Sequence, residues 1–369
     1  MINITKNQNR IMMENEIKFL SPVDGDMLNE YDGTIIEDGL LIKVKVPASP
    51  GRKLEINRIE AKFSDGNYVA DIILKDYRNV IVAEDLNSGE KNTIIVFRLK
   101  NIVNKYRLSV DDNIWVMKDL TANADIYGSI FENEYLSFFR QVHDKFGTKI
   151  HLNLFYQTDG FNLSQMTGKF KNEWIENAGW LRLSFHSLQD EPDRPYINAG
   201  YDQMKKDCDL VTEQIKRFAG AQLLGPVMTL HWGEATVEGC RALRDSGYKV
   251  LSGYFSLEGP DTVSYYTDEK IRKHINNRFI WMDTGEGIIF SRMALVINTL
   301  ENDRIIPYLD SLRSDSHKPA YVDMMIHEQY YHPSYKNYQS DFRQKVLTSV
   351  KWAADNGYQP AFLDESVFS

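Results

Sequence analysis

From about residue 39 to 98 the chain alternates apolar and polar positions in short runs. LLIKVKV (40–46), YVADIILK (68–75), NVIVAED (79–85) and NTIIVFR (92–98) are rich in β-branched residues. The stretches SDGN (64–67), DYRN (76–79) and LNSGEK (86–91) carry turn chemistry. A period of two without a helical 3.6 repeat predicts a small all-β sandwich over 21–103, preceded by a polar extension over 1–20.

Past residue 104 the texture changes. Apolar runs at KYRLSV (105–110), KIHLNLFY (149–156), LRLSF (181–185), VMTL (227–230), 250–254, YVDMMIH (321–327) and PAFLD (360–364) read as strands. Between them lie amphipathic segments at 134–147, 199–219, 234–247, 303–315 and 342–357, several stopped by a glycine such as Gly147, Gly220 or Gly247. The stretch 255–300 is less regular. Strands alternating with helices imply parallel β/α units, and their number over 104–369 suits a seven- or eight-stranded (β/α) barrel, with an open doubly wound sheet as the alternative. No glycine-rich phosphate motif follows any strand, which removes support for nucleotide folds.

The net charge of −9 and the lack of a Lys/Arg block argue against a nucleic-acid partner. No apolar run is long enough to span a membrane. Met1–Met13 is polar and lacks the apolar stretch of a signal peptide, so the protein is cytoplasmic or its leader lies outside this sequence. Cys208 and Cys240 make neither a disulfide framework nor a zinc cluster and read as small buried hydrophobes. The aromatic content of 12% serves large cores or flat surfaces for sugar rings.

In a β/α barrel the site is assembled at the C-terminal ends of the strands. The polar residues just past each predicted strand are therefore the candidates: Asp111 and Asp112, then Tyr156, then His186 and Asp190, then His231 and Trp232, then His327 and Glu328, then Asp364 and Glu365. Of the 8 histidines, His186, His231 and His327 all fall on these positions. Taken singly, a histidine after a strand is an ordinary half-buried side chain, and Asp111-Asp112 could cap a turn. Together, imidazole and carboxylate make a site for a divalent metal, zinc foremost. A bound metal brings the pKa of its water to about 7. A carboxylate off the metal can take the water proton, and a further histidine can protonate a leaving group. Trp115 and Trp232, next to site residues, are candidates for sugar stacking.

Two resemblances follow from these residues. Asp65-Gly66-Asn67-Tyr68, Ile72-Ile73-Leu74 and Asn79-Val80-Ile81-Val82-Ala83-Glu84-Asp85 are similar to the pattern of bacterial immunoglobulin-like domains that accompany carbohydrate-active enzymes. The second half resembles the polysaccharide deacetylase superfamily. Ser109-Val110-Asp111-Asp112-Asn113 is similar to its T-F-D-D-G motif, which implies Asp111 as general base and Asp112 as a metal ligand. Ser184-Phe185-His186-Ser187-Leu188-Gln189-Asp190 is similar to H-[ST]-x-x-H, with Asp190 at the second histidine. The implied ligand triad is Asp112, His186 and Asp190. Met325-Ile326-His327 matches L-x-x-H, implying His327 as general acid. The motif arginine that orients the base falls on Thr229, and His231 stands at a motif proline, as an extra ligand or substrate contact. Trp232, Glu328, Trp115 and Tyr156 complete the expected substrate-binding set.

The function expected from this resemblance is metal-dependent hydrolysis of N- or O-linked acetyl groups on a carbohydrate. A non-catalytic carbohydrate-binding or surface protein with a degenerate site is one alternative. A metal-independent glycoside hydrolase pairing Asp112 with Glu328 or Glu365 is the other.

Overall fold

In a computed structural model, residues 17–257 and 263–369 are described. Most of the expected polar extension, 1–16, lies outside them. The last part of that stretch is structural: Ile17 is buried, and its N–H bonds Glu90 Oε1 at 2.7 Å. The chain divides into two compact units, one of 17–101 with Phe368–Ser369 and one of Ile102–Val367.

The first unit holds two sheets. One runs Thr34–Ile36, Gly39–Pro47, Asn67–Leu74, Lys62–Ser64, all antiparallel. The other runs Met27–Leu28, Lys91–Arg98, Arg78–Asp85, Leu54–Ile56, Ile59–Glu60, antiparallel except for its first pair. The alternation does what the sequence implies. Leu40, Ile42, Val44 and Val46 are buried while Lys43 and Lys45 are exposed, and Tyr68, Ala70, Ile72 and Leu74 join the same core. At 64–67, Asp65 and Gly66 both take positive φ (50° and 78°), the conformation a two-residue hairpin needs to match strand twist.

The second unit is α/β. One parallel sheet has the order Leu181–Ser187, Ile150–Phe155, Lys105–Asn113, Tyr321–His327, Leu295–Val296, and Gln359–Pro360 pairs beside the start of Lys105–Asn113. A second sheet joins Val227–Thr229, Val250–Gly253 and Ile288–Arg292 in parallel, with Ile280–Asp283 antiparallel at its edge. The expected single closed ladder is thus replaced by two hydrogen-bonded sheets. The sheets end at the short strands Val227–Thr229 and Leu295–Val296, of three and two residues, each of which pairs on one side among the described residues. The expected last strand, PAFLD, also differs. Only Gln359–Pro360 pairs, and Leu363–Val367 is helical, so Asp364 and Glu365 do not sit past a strand. Asp364 binds Arg182 at 2.6 Å, and Glu365 accepts the Phe362 N–H at 2.8 Å.

The strands of this unit are buried on both faces, but with different chemistry. Tyr106, Leu108 and Val110 join the apolar core, whereas Arg107, Ser109 and Asp111 alternate with them. Neighbouring strands repeat the pattern, with Leu152 beside His151 and Asn153, and Leu183 and Phe185 beside Arg182, Ser184 and His186. Polar residues on neighbouring strands satisfy one another. Arg107 makes two parallel bonds of 2.9 Å to Asp323 and one of 2.7 Å to His151 Nδ1, and Ser252 donates to Asp323 at 2.8 Å. Burial, then the Arg107 charge, holds His151 well below the usual imidazole range, so it accepts from the guanidinium as a neutral ring.

Candidate metal centre

The polar face ends where Lys105–Asn113 and Leu181–Ser187 leave regular pairing. The register with Ile150–Phe155 slips between Val110 and Asn113, and again at His186, which lies between the paired Phe185 and Ser187. Each slip is a β-bulge that re-aims one side chain. Asp112 takes φ 63°, a left-handed conformation uncommon for a non-glycine residue and one that clusters at functional sites. Asn113 braces the bulge: its Nδ2 donates to the Val110 carbonyl at 2.6 Å, and its Oδ1 accepts from Tyr135 Oη at 2.8 Å.

Three side-chain atoms converge there. Asp112 Oδ1 lies 3.0 Å from His186 Nε2 and 3.3 Å from His231 Nδ1, and the two nitrogens are 3.2 Å apart. All three residues are buried. Their outer contacts decide the proton positions. His186 Nδ1 is 2.6 Å from the Thr229 carbonyl and His231 Nε2 is 2.9 Å from the Asp190 carbonyl. A carbonyl only accepts, so those nitrogens carry hydrogen, and in neutral rings His186 Nε2 and His231 Nδ1 are bare lone pairs. Three acceptors therefore face one another in a buried space, an arrangement that requires a positive charge between them. Tetrahedral coordination with metal–ligand bonds of about 2.0–2.1 Å puts ligand atoms about 3.3 Å apart, close to the spacing found. The donor set thus fits a divalent cation with an open fourth position, and the backbone carbonyls orient the rings as outer-shell partners do.

The titration tendencies reflect the same crowding. Burial opposes ionisation of Asp112, but whenever the facing nitrogens of His186 and His231 carry a proton their hydrogen bonds outweigh it and hold the carboxyl below the usual range. Burial disfavours the charged form of His186, yet Asp111 and Asp112 together raise it. Asp111 is pushed up by burial, against the pull of His186 and His327.

No protein-family model matches the chain, and no curated protein matches it. Among the solved structures that resemble it in part are two deacetylases. A chain from Mycobacterium smegmatis assigned as a polysaccharide deacetylase is 12% identical, with 72% of this chain and 88% of that one covered and a TM-score of 0.39. Agd3, described as a carbohydrate deacetylase, is 8% identical, with 88% of this chain and 64% of that one covered and a TM-score of 0.39.

The expected site residues divide into those brought together and those directed elsewhere. Asp112, His186 and His231 meet. Asp190, expected as the third ligand, does not: its side chain is 55% exposed and its Oδ1 stands 3.9 Å from His231 Nε2, on the far side of the ring. Its loop turns the main-chain carbonyl inward instead, and His231 stands beside Asp112 and His186 in its place. Asp111 pairs in register with His327 on the adjacent strand. His327 Nδ1 donates to Asn298 Oδ1 at 2.9 Å.

Glu328, expected in the substrate set, is fully buried and capped into the fold. It accepts the N–H groups of Ile114, Trp115 and Val116 at 2.7, 3.0 and 2.7 Å, closing the start of helix Trp115–Ala122. With Glu328 and Glu365 both committed to backbone N–H groups, the carboxylate pairs of the glycoside hydrolase alternative are not assembled.

Above the triad opens a cleft of about 770 Å³, whose walls include Asp112, Trp115, Phe155, Gln157, Gln189 and Asp190. Trp115 packs edge-on against His332 with ring centres 4.9 Å apart. Trp232, at φ 61°, lies 6.3 Å from the His231 ring and under the Arg194 guanidinium. Tyr156 packs its ring partly on the core, and its N–H reaches the Ser187 and Leu188 carbonyls at 3.1 Å.

Residues that single-position reasoning missed are those acting through others: Asn153, which donates to Asp111 at 2.6 Å, Asn298, and the Thr229 and Asp190 carbonyls. Asn153 lies mid-strand, and the signal for it was its place with His151 on the polar positions of an alternating run.

Proposed function

We propose that this chain is a metal-dependent hydrolase that removes N- or O-linked acetyl groups from a carbohydrate. The reading rests above all on the buried meeting of Asp112, His186 and His231, whose tautomers aim three lone pairs at one point. In it, Asp112, His186 and His231 hold a divalent cation, zinc by its donor set. When bound, such a cation would supply Lewis acidity to the acyl oxygen and lower the pKa of a water molecule. Asp111 takes the proton of the attacking water as oxygen bonds to the acyl carbon. His327 gives a proton to the departing sugar nitrogen or oxygen as its bond to that carbon breaks, releasing acetate. The cleft over the triad is open enough for a sugar unit, with Trp115 as a flat wall. We read the first unit as an immunoglobulin-like spacer or docking module.

Zinc titration of metal-stripped protein, followed by acetate release from acetylated oligosaccharides, tests the proposal. The expected result is one zinc per chain and acetate release that falls by at least about 100-fold, but stays measurable, in Asp111→Asn. Zinc binding without release by any acetylated sugar would leave a carbohydrate-binding protein. Absence of zinc binding would end the reading.

A further inference from the structure

Asp111 lies in the buried interior, and among the described residues one side chain donates a hydrogen bond to it, that of Asn153. We propose that Asn153 is the positioning residue of this site, fixing the rotamer of Asp111 and leaving its second carboxylate oxygen for the attacking water; this rests on the hydrolase reading above. Asn153 sits in the middle of Ile150–Phe155, fully buried, on the polar face that carries His151. Its amide can be oriented in only one way. The Thr229 N–H, which can only donate, lies 3.4 Å from Oδ1, and the Ser184 hydroxyl donates to the same oxygen. The Nδ2 group is then left to donate to Asp111 Oδ1 at 2.6 Å.

The arrangement is braced from behind. The main-chain carbonyl of Asn153 accepts from Asn113 Nδ2 at 3.1 Å, which ties it to the bulge that carries Asp111 and Asp112. The side chain of Thr229 does not compete for the role, because its buried Oγ1 has no hydrogen-bond partner among the described residues. Four strands thus contribute to one hydrogen-bond chain: Ser184 and Thr229 to Asn153, and Asn153 to Asp111. Asn153 itself is sealed from the cleft, so it acts on substrate only through Asp111.

Asn153→Asp is the informative change. It is isosteric and keeps the oxygen that Ser184 and Thr229 address, but it turns an acceptor toward Asp111 in place of a donor. The expected result is a fall in kcat of about 100-fold, the scale of a misplaced catalytic group, with KM within about threefold and zinc stoichiometry unchanged. In a double-mutant cycle, Asn153→Asp added to Asp111→Asn should cost no more than about threefold beyond Asp111→Asn alone, because the first residue works through the second. Full additivity, or a change confined to KM, overturns the assignment. Should Asn153→Asp not fold, Ser184→Ala takes its place with a kcat loss of at least about threefold, and an unchanged kcat overturns it.

The crystal structure of Asn153→Ser decides the same point without turnover. A rotated Asp111 carboxylate supports the assignment, and an unmoved one refutes it. If the wild-type protein releases no acetate, the hydrolase reading fails and this structural result alone judges Asn153.

Discussion

The proposed place of His231 rather than Asp190 as metal ligand can be measured directly. Removing the His231 imidazole deletes one of three donors around a space whose atoms are 3.0–3.3 Å apart. Changing an outer-shell partner already costs about 10–100-fold in metal affinity, so loss of a direct donor should exceed about 100-fold, or about 2.7 kcal/mol. Asp190→Ala deletes a carboxylate that is 55% exposed but leaves the main-chain carbonyl that orients His231. An exposed charge near the site contributes at most about 1 kcal/mol, or about fivefold, and less as salt rises. Competitive titration of zinc against a chromogenic chelator at neutral pH, on metal-stripped wild type, His231→Ala and Asp190→Ala, reads both numbers. If Asp190→Ala weakens zinc as much as His231→Ala, the carboxylate is a ligand after all and the tautomer reasoning is wrong.

Further expectations concern stability and protons. Glu328→Ala leaves three N–H groups at the start of helix Trp115–Ala122 without their acceptor, and urea unfolding should show a loss of about 2–4 kcal/mol; a change under about 0.5 kcal/mol would contradict the capping role. Asp323→Ala strands the buried Arg107 charge and should cost about 3–5 kcal/mol, whereas replacing both residues by apolar ones should cost much less. Zinc competes with a proton for His186 Nε2, whose charged form Asp111 and Asp112 favour, so apparent affinity should fall as pH drops from about 7.5 to 5.5, with proton release seen in calorimetry across buffers of different ionisation enthalpy. Affinity that stays level over that range would show that His186 does not bind the metal.

Much of the architecture was legible along the chain, since periodicity is a local property. The two-residue alternation in 39–98 and the strand-helix rhythm after 104 follow from how each segment buries its own apolar face. The ends of those strands were also legible as places for chemistry, which is how Asp111, Asp112, His186, His231 and His327 were singled out. What the chain order could not decide is which atoms meet. Two β-bulges aim Asp112 and His186, a loop presents the carbonyl of Asp190 in place of its carboxylate, and three helical N–H groups claim Glu328. Each depends on backbone geometry set by partners tens to hundreds of residues away, where a shift of one residue or one rotamer separates a ligand from a bystander.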